Sequence, residues 1–199
     1  MVSRVGIEPT TDALKGRYST TELPARISHC TLRGMVSPYL DRCLDVILDA
    51  TAGVSPDAAT KRAGDRWSVV EIVEHLQRAF SGTAKGFERC IEKGTPLSTS
   101  ATLTQTLQAF ALINLGYFPE GRMAPKHILP TGALALPVVL EGVKKDLLWL
   151  DDAAVRTRRV FGSAKVLDHP ILGAFTVDQW LRFHRVHTQH HEKQIRARR

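Results

Sequence analysis

The stretch that decides the fold is His184-Arg185-Val186-His187-Thr188-Gln189-His190-His191-Glu192-Lys193-Gln194-Ile195. Four of the chain's eight histidines fall within its first eight residues. Each residue of an α-helix turns the side-chain direction by about 100°, so residues four apart differ by only about 40°. His187 and His191 therefore point the same way from successive turns, as two ligands of one metal ion must. Trp180 shares their stripe, with Val177, His184 and Ile195 beside it. Histidines thus occupy a face where apolar residues are expected, and the pattern predicts a metal site on the buried side of the last helix.

Upstream of this stretch, Thr176 and Gln179 form a capping-box pattern that starts the helix, after a loop carrying His169-Pro170 and Gly173. Leu136, Leu140, Val143, Leu147 and Leu150 repeat at helical spacing and predict a long helix before it. A shorter helix is expected over 102–115, closed by Gly116 and Pro119. The stretch 121–132, with Pro125 and Pro130, reads as a long loop forming one wall of a pocket. Ser68 and Glu71 make another capping box, directly before an apolar run. Ile72, Leu76, Ala79 or Phe80, Thr83, Phe87 and Cys90 then keep helical spacing until Gly94 and Pro96 stop it, and His75 shares or flanks that buried face. Ser37-Pro38 suits an N-cap with proline at the first helical position. Leu40, Leu44, Ile47 and Leu48 extend that helix to about residue 52, before a loop over 53–66. No internal repeat and no strand ladder is evident. Four long amphipathic helices with one short extra helix predict an all-α four-helix bundle.

A chain of 199 residues is long enough for one domain with a sizeable core. No apolar run approaches the roughly 20 residues that span a bilayer, and the N-terminus has no apolar segment of the secretory kind. Cys30, Cys43 and Cys90 are odd in number and form no CxxC pair, so reduced thiols in a cytoplasm are expected. The net charge of +7 raises nucleic acid as a partner. Its distribution argues against that: Arg182, Arg185, Lys193, Arg196, Arg198 and Arg199 lie in or beyond the last helix, where cations complement the helix dipole. No recognition-helix or stacking-aromatic pattern accompanies them.

Residues 1–34 read differently from 35–199. They carry scattered Gly, Pro, Thr and Ser with little periodicity. Val5-Gly-Ile-Glu-Pro-Thr-Thr11 and Ser19-Thr-Thr-Glu-Leu-Pro-Ala25 resemble the conceptual translation of a transfer-RNA gene read on its opposite strand. The expectation is an over-extended start, with the natural chain beginning near Met35; the plainer reading is a flexible arm. Neither assigns the segment a function.

Trp67-Ser68 with Glu74-His75-Leu76, followed far along the chain by His187-x3-His191-x2-Gln194, resembles the DinB/YfiT-like superfamily. His169-Pro170, Gly173, Thr176 and Gln179-Trp180 resemble a branch of it catalogued as a domain of unknown function. The resemblance covers about 35–195. It implies an up-down-down-up bundle with one long crossover, and a divalent metal held by His75, His187 and His191. It also implies a small-molecule substrate, since relatives use such a site to transfer or activate low-molecular-weight thiols such as bacillithiol and mycothiol, or to isomerise maleylpyruvate with mycothiol. Zinc, nickel and iron all accept neutral imidazole ligands, and three protein ligands leave a position for water or substrate.

The other candidates carry simpler expectations. His184, about 60° from His187, is a hydrogen-bond partner near the metal or an alternative ligand. His190, about 60° to the other side, belongs to a helix interface or to solvent. His127 and His169 are expected in loops, in turn or capping roles, with lining of the pocket as the alternative. Trp67 and Trp180 are core anchors, and Cys90 is a buried thiol rather than a nucleophile. Glu71 is explained by the capping box, and Glu74 is expected to face solvent or a neighbouring subunit. No Ser-His-Asp order, phosphate loop or dinucleotide fingerprint appears. Two function classes remain foremost: a metal-dependent enzyme of the thiol-transferase or hydrolase-like kind, and a non-catalytic bundle in which the metal pins two helices of a stress-response module or homodimer.

Overall fold

The computed structural model describes residues 37–116 and 124–199. The expected N-terminal extension, Pro119 and the start of the 121–132 loop lie outside them. The described residues are mostly helical, in agreement with the all-α expectation. The long helices are α1 (Pro38–Thr51), α3 (Val69–Lys93), α5 (Leu136–Phe161) and α6 (Val177–Arg196), with α2 (Pro56–Thr60) and α4 (Leu103–Leu115) shorter.

Ser37 at α1 and Ala135 at α5 make no side-chain cap bond, but the other starts are set by side chains that satisfy the first free N–H groups. Ser68 and Glu71 close a full capping box on α3, Thr102 and Gln105 one on α4, and Thr176 and Gln179 one on α6. Gly94 and Gly116 end α3 and α4 at φ near +65°, the left-handed conformation that favours glycine there. α2 lies inside what the sequence suggests is a plain loop. Its signal, Ser55 capping a helix with Pro56 in the first turn, repeats the Ser37-Pro38 pattern on a smaller scale.

A second difference is a two-stranded antiparallel hairpin, β1 (Lys165–His169) with β2 (Gly173–Thr176), where no strand ladder is expected. Long-range bonds hold it. Leu97 N donates to Val166 O at 2.8 Å, Ser98 Oγ to Lys165 O at 2.7 Å, and Cys90 Sγ to Val166 O at 3.2 Å. Leu167 lies so close to Gly86 that a methyl group there would collide with it. The hairpin thus seats on α3 and delivers the chain directly into the cap of α6.

Polar links show how the long helices run. Gln77 bonds Asp146, and further along both helices Glu88 takes Trp149 and Arg156, so α3 and α5 run the same way. Gly142 gives them close approach beside Gln77. Arg182 and Arg185 lie over the Tyr39 ring and Arg196 pairs with Asp49, so α1 and α6 also run alike. His75 meets His187 while Thr83 meets His184, so α3 and α6 oppose each other. Between them lie Ile47, Ile72, Leu76, Phe80, Phe87, Leu150, Leu181 and Ile195, all essentially inaccessible to solvent. Burying each such side chain contributes roughly 1.5–3 kcal/mol. Among the described residues no helix is long and apolar enough to cross a membrane.

Candidate metal centre

The second turn of α3 and the third and fourth turns of α6 bring His75, His187 and His191 together. Their candidate ligand nitrogens all lie within 4.8 Å of one another, and the three residues are 3%, 5% and 6% exposed. His75 Nε2 is 3.2 Å from His187 Nε2, and His191 Nε2 is 3.0 Å from the same atom.

Partners on the far side of two rings fix what those nitrogens present. His75 Nδ1 lies 3.0 Å from the Ile128 carbonyl, and His191 Nδ1 lies 2.9 Å from Gln194 Oε1. Both oxygens can only accept, so each Nδ1 carries the hydrogen and each Nε2 presents a lone pair inward. Burial, the largest cause, lowers the pKa of all three histidines, His187 well below its usual value and His191 to about 3. All three rings are therefore neutral near pH 7, the form that binds metal.

The donor set fits a cation. A neutral ring nitrogen has either one in-plane hydrogen or one in-plane lone pair, so His187 Nε2 cannot make a straight hydrogen bond to both neighbours. Ligands about 2.0–2.1 Å from a tetrahedral ion stand about 3.3–3.4 Å apart. The two short separations, 3.0 and 3.2 Å, are close to that spacing. The three histidines can hold a metal ion.

His184 is fully buried but engaged elsewhere. Thr83 Oγ1 donates to Ala79 O at 3.1 Å and so accepts from His184 Nε2 at 3.0 Å. This leaves His184 Nδ1 buried with no hydrogen-bond partner, and burial lowers the ring's pKa to about 3. His169 takes its expected turn role: Nδ1 accepts from Ile171 N and Leu172 N, each at 3.2 Å. Its ring also packs on Phe183, Trp180 and Phe175. His127 is exposed on a 3-10 turn (Lys126–Ile128). His190 is half-buried and bonds the Gln194 amide nitrogen at 3.1 Å, which holds Gln194 Oε1 toward His191.

Sequence reasoning placed Glu74 in solvent or at a neighbouring subunit; it is 2% exposed and bound within its own chain. Its oxygens accept from Thr131 N, Thr131 Oγ1, Gly132 N and Arg78. Burial pushes its pKa up, but these donors outweigh that and leave it lowered. The reason is non-local: the segment from 124 to 135 crosses this face of α3 as a strap. Glu71 keeps its capping role and also pairs with Arg62, the largest cause of its lowered pKa.

Two aromatic walls escaped the sequence reading. Phe183 stacks on His187, with centroids 5.3 Å apart, and half-buried Trp67 lies against His75 at 4.9 Å rather than deep in the core. Phe183 lies four residues before His187, the spacing that stacks side chains on a helix, and that was the available signal. Trp180 is the expected anchor, with its Nε1 donating to Leu167 O at 3.1 Å. A separate cleft of about 290 Å³, on the side of α6 turned away from the three ligands, is lined by Gly116, Val186, Gln189, His190, Glu192 and Lys193.

No curated protein and no solved structure matches the chain. Residues 56–198, which include all three histidines, match the model of a family described as "Protein of unknown function (DUF1569)", and the chain belongs to that family.

Proposed function

We propose that the chain is a metal-dependent enzyme of the DinB-like superfamily that transfers or activates a low-molecular-weight thiol. The observation that carries this reading is the convergence of the lone pairs of His75 and His191 on His187, with both outer nitrogens tied back to oxygen acceptors. Zinc, nickel or iron suits three neutral imidazoles. The directions of the long helices support the up-down-down-up bundle of that superfamily, with 94–135 as its crossover. When bound, such an ion favours the deprotonated form of a thiol or water and stabilises charge as an electrophilic carbon is attacked.

The chain's own residues do the positioning. Ile128 and Gln194 hold the two ligand tautomers, and Trp67 and Phe183 shield the rings from water. Cys43 and Cys90 are both free and buried, and burial pushes the Cys43 thiol up to about 12, so neither serves as the nucleophile. Nucleic acid is a poor partner for this surface, because Arg62, Arg78, Arg156, Arg158 and Arg196 already face carboxylates.

One observation favours a second reading, in which the metal is a non-catalytic pin between α3 and α6: no ligand is more than 6% exposed. A panel of cellular thiols with a generic electrophile separates the two. Metal-loaded protein should accelerate the consumption of at least one thiol and His187→Ala should not. Identical rates for both proteins across the panel leave only the pin.

A further inference from the structure

We propose that Glu74 is a positioning residue for the metal centre: it anchors the 124–135 strap so that the Ile128 carbonyl sets the tautomer of His75. This rests on the reading that the three histidines hold a metal ion.

Glu74 and His75 are neighbours on α3, about 100° apart around its axis. A segment tied to one must pass beside the other. Glu74 Oε2 accepts from Thr131 N at 2.9 Å and Gly132 N at 2.8 Å, while Oε1 accepts from Thr131 Oγ1 at 2.9 Å and Arg78 Nη2 at 2.7 Å. These are charge-assisted bonds to a carboxylate that is almost fully buried, a group that is costly to bury unless so satisfied. Three residues before Thr131, Ile128 sits in a tight turn: Ile128 N donates to Pro125 O at 3.1 Å and Leu129 N to Lys126 O at 3.3 Å. The turn aims the Ile128 carbonyl at His75 Nδ1, 3.0 Å away.

That carbonyl decides which nitrogen of His75 carries its hydrogen. With the strap seated, the hydrogen is on Nδ1 and the lone pair on Nε2, toward His187. With the strap released, His75 loses its acceptor and can protonate Nε2 instead, which blocks ligation. Gly132 provides an independent handle. Its φ of +67° is strained for any side chain, and a Cβ there would stand 3.1 Å from Glu71 Cγ, so Gly132→Ala disturbs the strap while leaving the Glu74 side chain unaltered.

The test pairs zinc affinity, by chelator competition, with nitrogen NMR of the histidine tautomers in metal-free protein. Glu74→Ala should weaken zinc binding about 10- to 100-fold, the usual loss for a partner that orients a metal ligand. It should also shift the His75 hydrogen away from Nδ1. Glu74→Gln, which keeps an oxygen for the two backbone N–H groups, should recover part of both, and Gly132→Ala should reproduce the loss. If Glu74→Ala does not fold, Glu74→Gln and Gly132→Ala decide the question. His75 still protonated on Nδ1, with zinc affinity unchanged in these variants, overturns the proposal. Wild-type protein that binds no zinc, nickel or iron defeats the metal reading instead, and the metal-free tautomer comparison then judges Glu74 alone.

Discussion

Metal-free protein should lose stability steeply as pH falls below about 6.5, and its buried histidines set the slope. His184 and His191 both have their pKa lowered to about 3, with burial the largest cause. In the unfolded chain each returns to its ordinary value of 6.5. A lowered histidine pKa means that the unfolded state binds the proton first, so its stabilising contribution is complete above 6.5 and drains away toward the folded pKa. Each ring then removes about 1.4 kcal/mol per pH unit, and the pair about 4 kcal/mol by about pH 5. His187, held well below its ordinary value by burial and by its histidine neighbours, acts in the same direction, as do His75 and His169, lowered by burial. A loss of that size is a large part of the roughly 5–15 kcal/mol that holds a domain folded. Urea unfolding followed by circular dichroism from about pH 7.5 to about 5.5, where few carboxylates titrate, measures it. His184→Gln, which can still donate to Thr83, should flatten the slope by about 1.4 kcal/mol per pH unit. A bound divalent ion should move the whole transition to lower pH by mass action. A wild-type slope no steeper than one histidine's share would refute the reasoning.

Two further outcomes follow from the same geometry. Gln194→Ala removes the acceptor of His191 Nδ1 and should weaken metal binding about 10-fold or more while leaving the helical circular dichroism unchanged. Gly86→Ala forces a methyl group into Leu167 and should cost about 1–3 kcal/mol in urea unfolding, whereas Gly82→Ala, with open space around it, should not destabilise.

The histidine centre was legible because its two α6 members obey a local rule. Four-residue spacing on a helix whose start is marked by Thr176 and Gln179 fixes the face, whereas His75, on the helix that Ser68 caps, was singled out as a ligand only by the family resemblance. What the sequence hid depends on partners far along the chain. Glu74 has a polar side chain on a predicted helix, and only the return of Thr131 and Gly132 makes it buried. The β1–β2 hairpin is too short to show clear alternation, and much of its support comes from Leu97, Ser98 and Cys90, well outside it. Phe183 and His190 sit at readable helical spacings, but their contacts to His187 and Gln194 depend on ring orientation. The DUF1569 match reaches residue 198 and includes every histidine of the centre, yet its description names no chemistry.

The most direct measurement is elemental analysis of the chain purified without a histidine tag, repeated on His187→Ala and His190→Ala. One equivalent of a divalent transition metal per chain in wild type and His190→Ala, lost in His187→Ala, is the predicted result. Wild-type protein that carries no metal and takes up none on addition of zinc, nickel or iron, or a His187→Ala variant that keeps its full equivalent, contradicts the account.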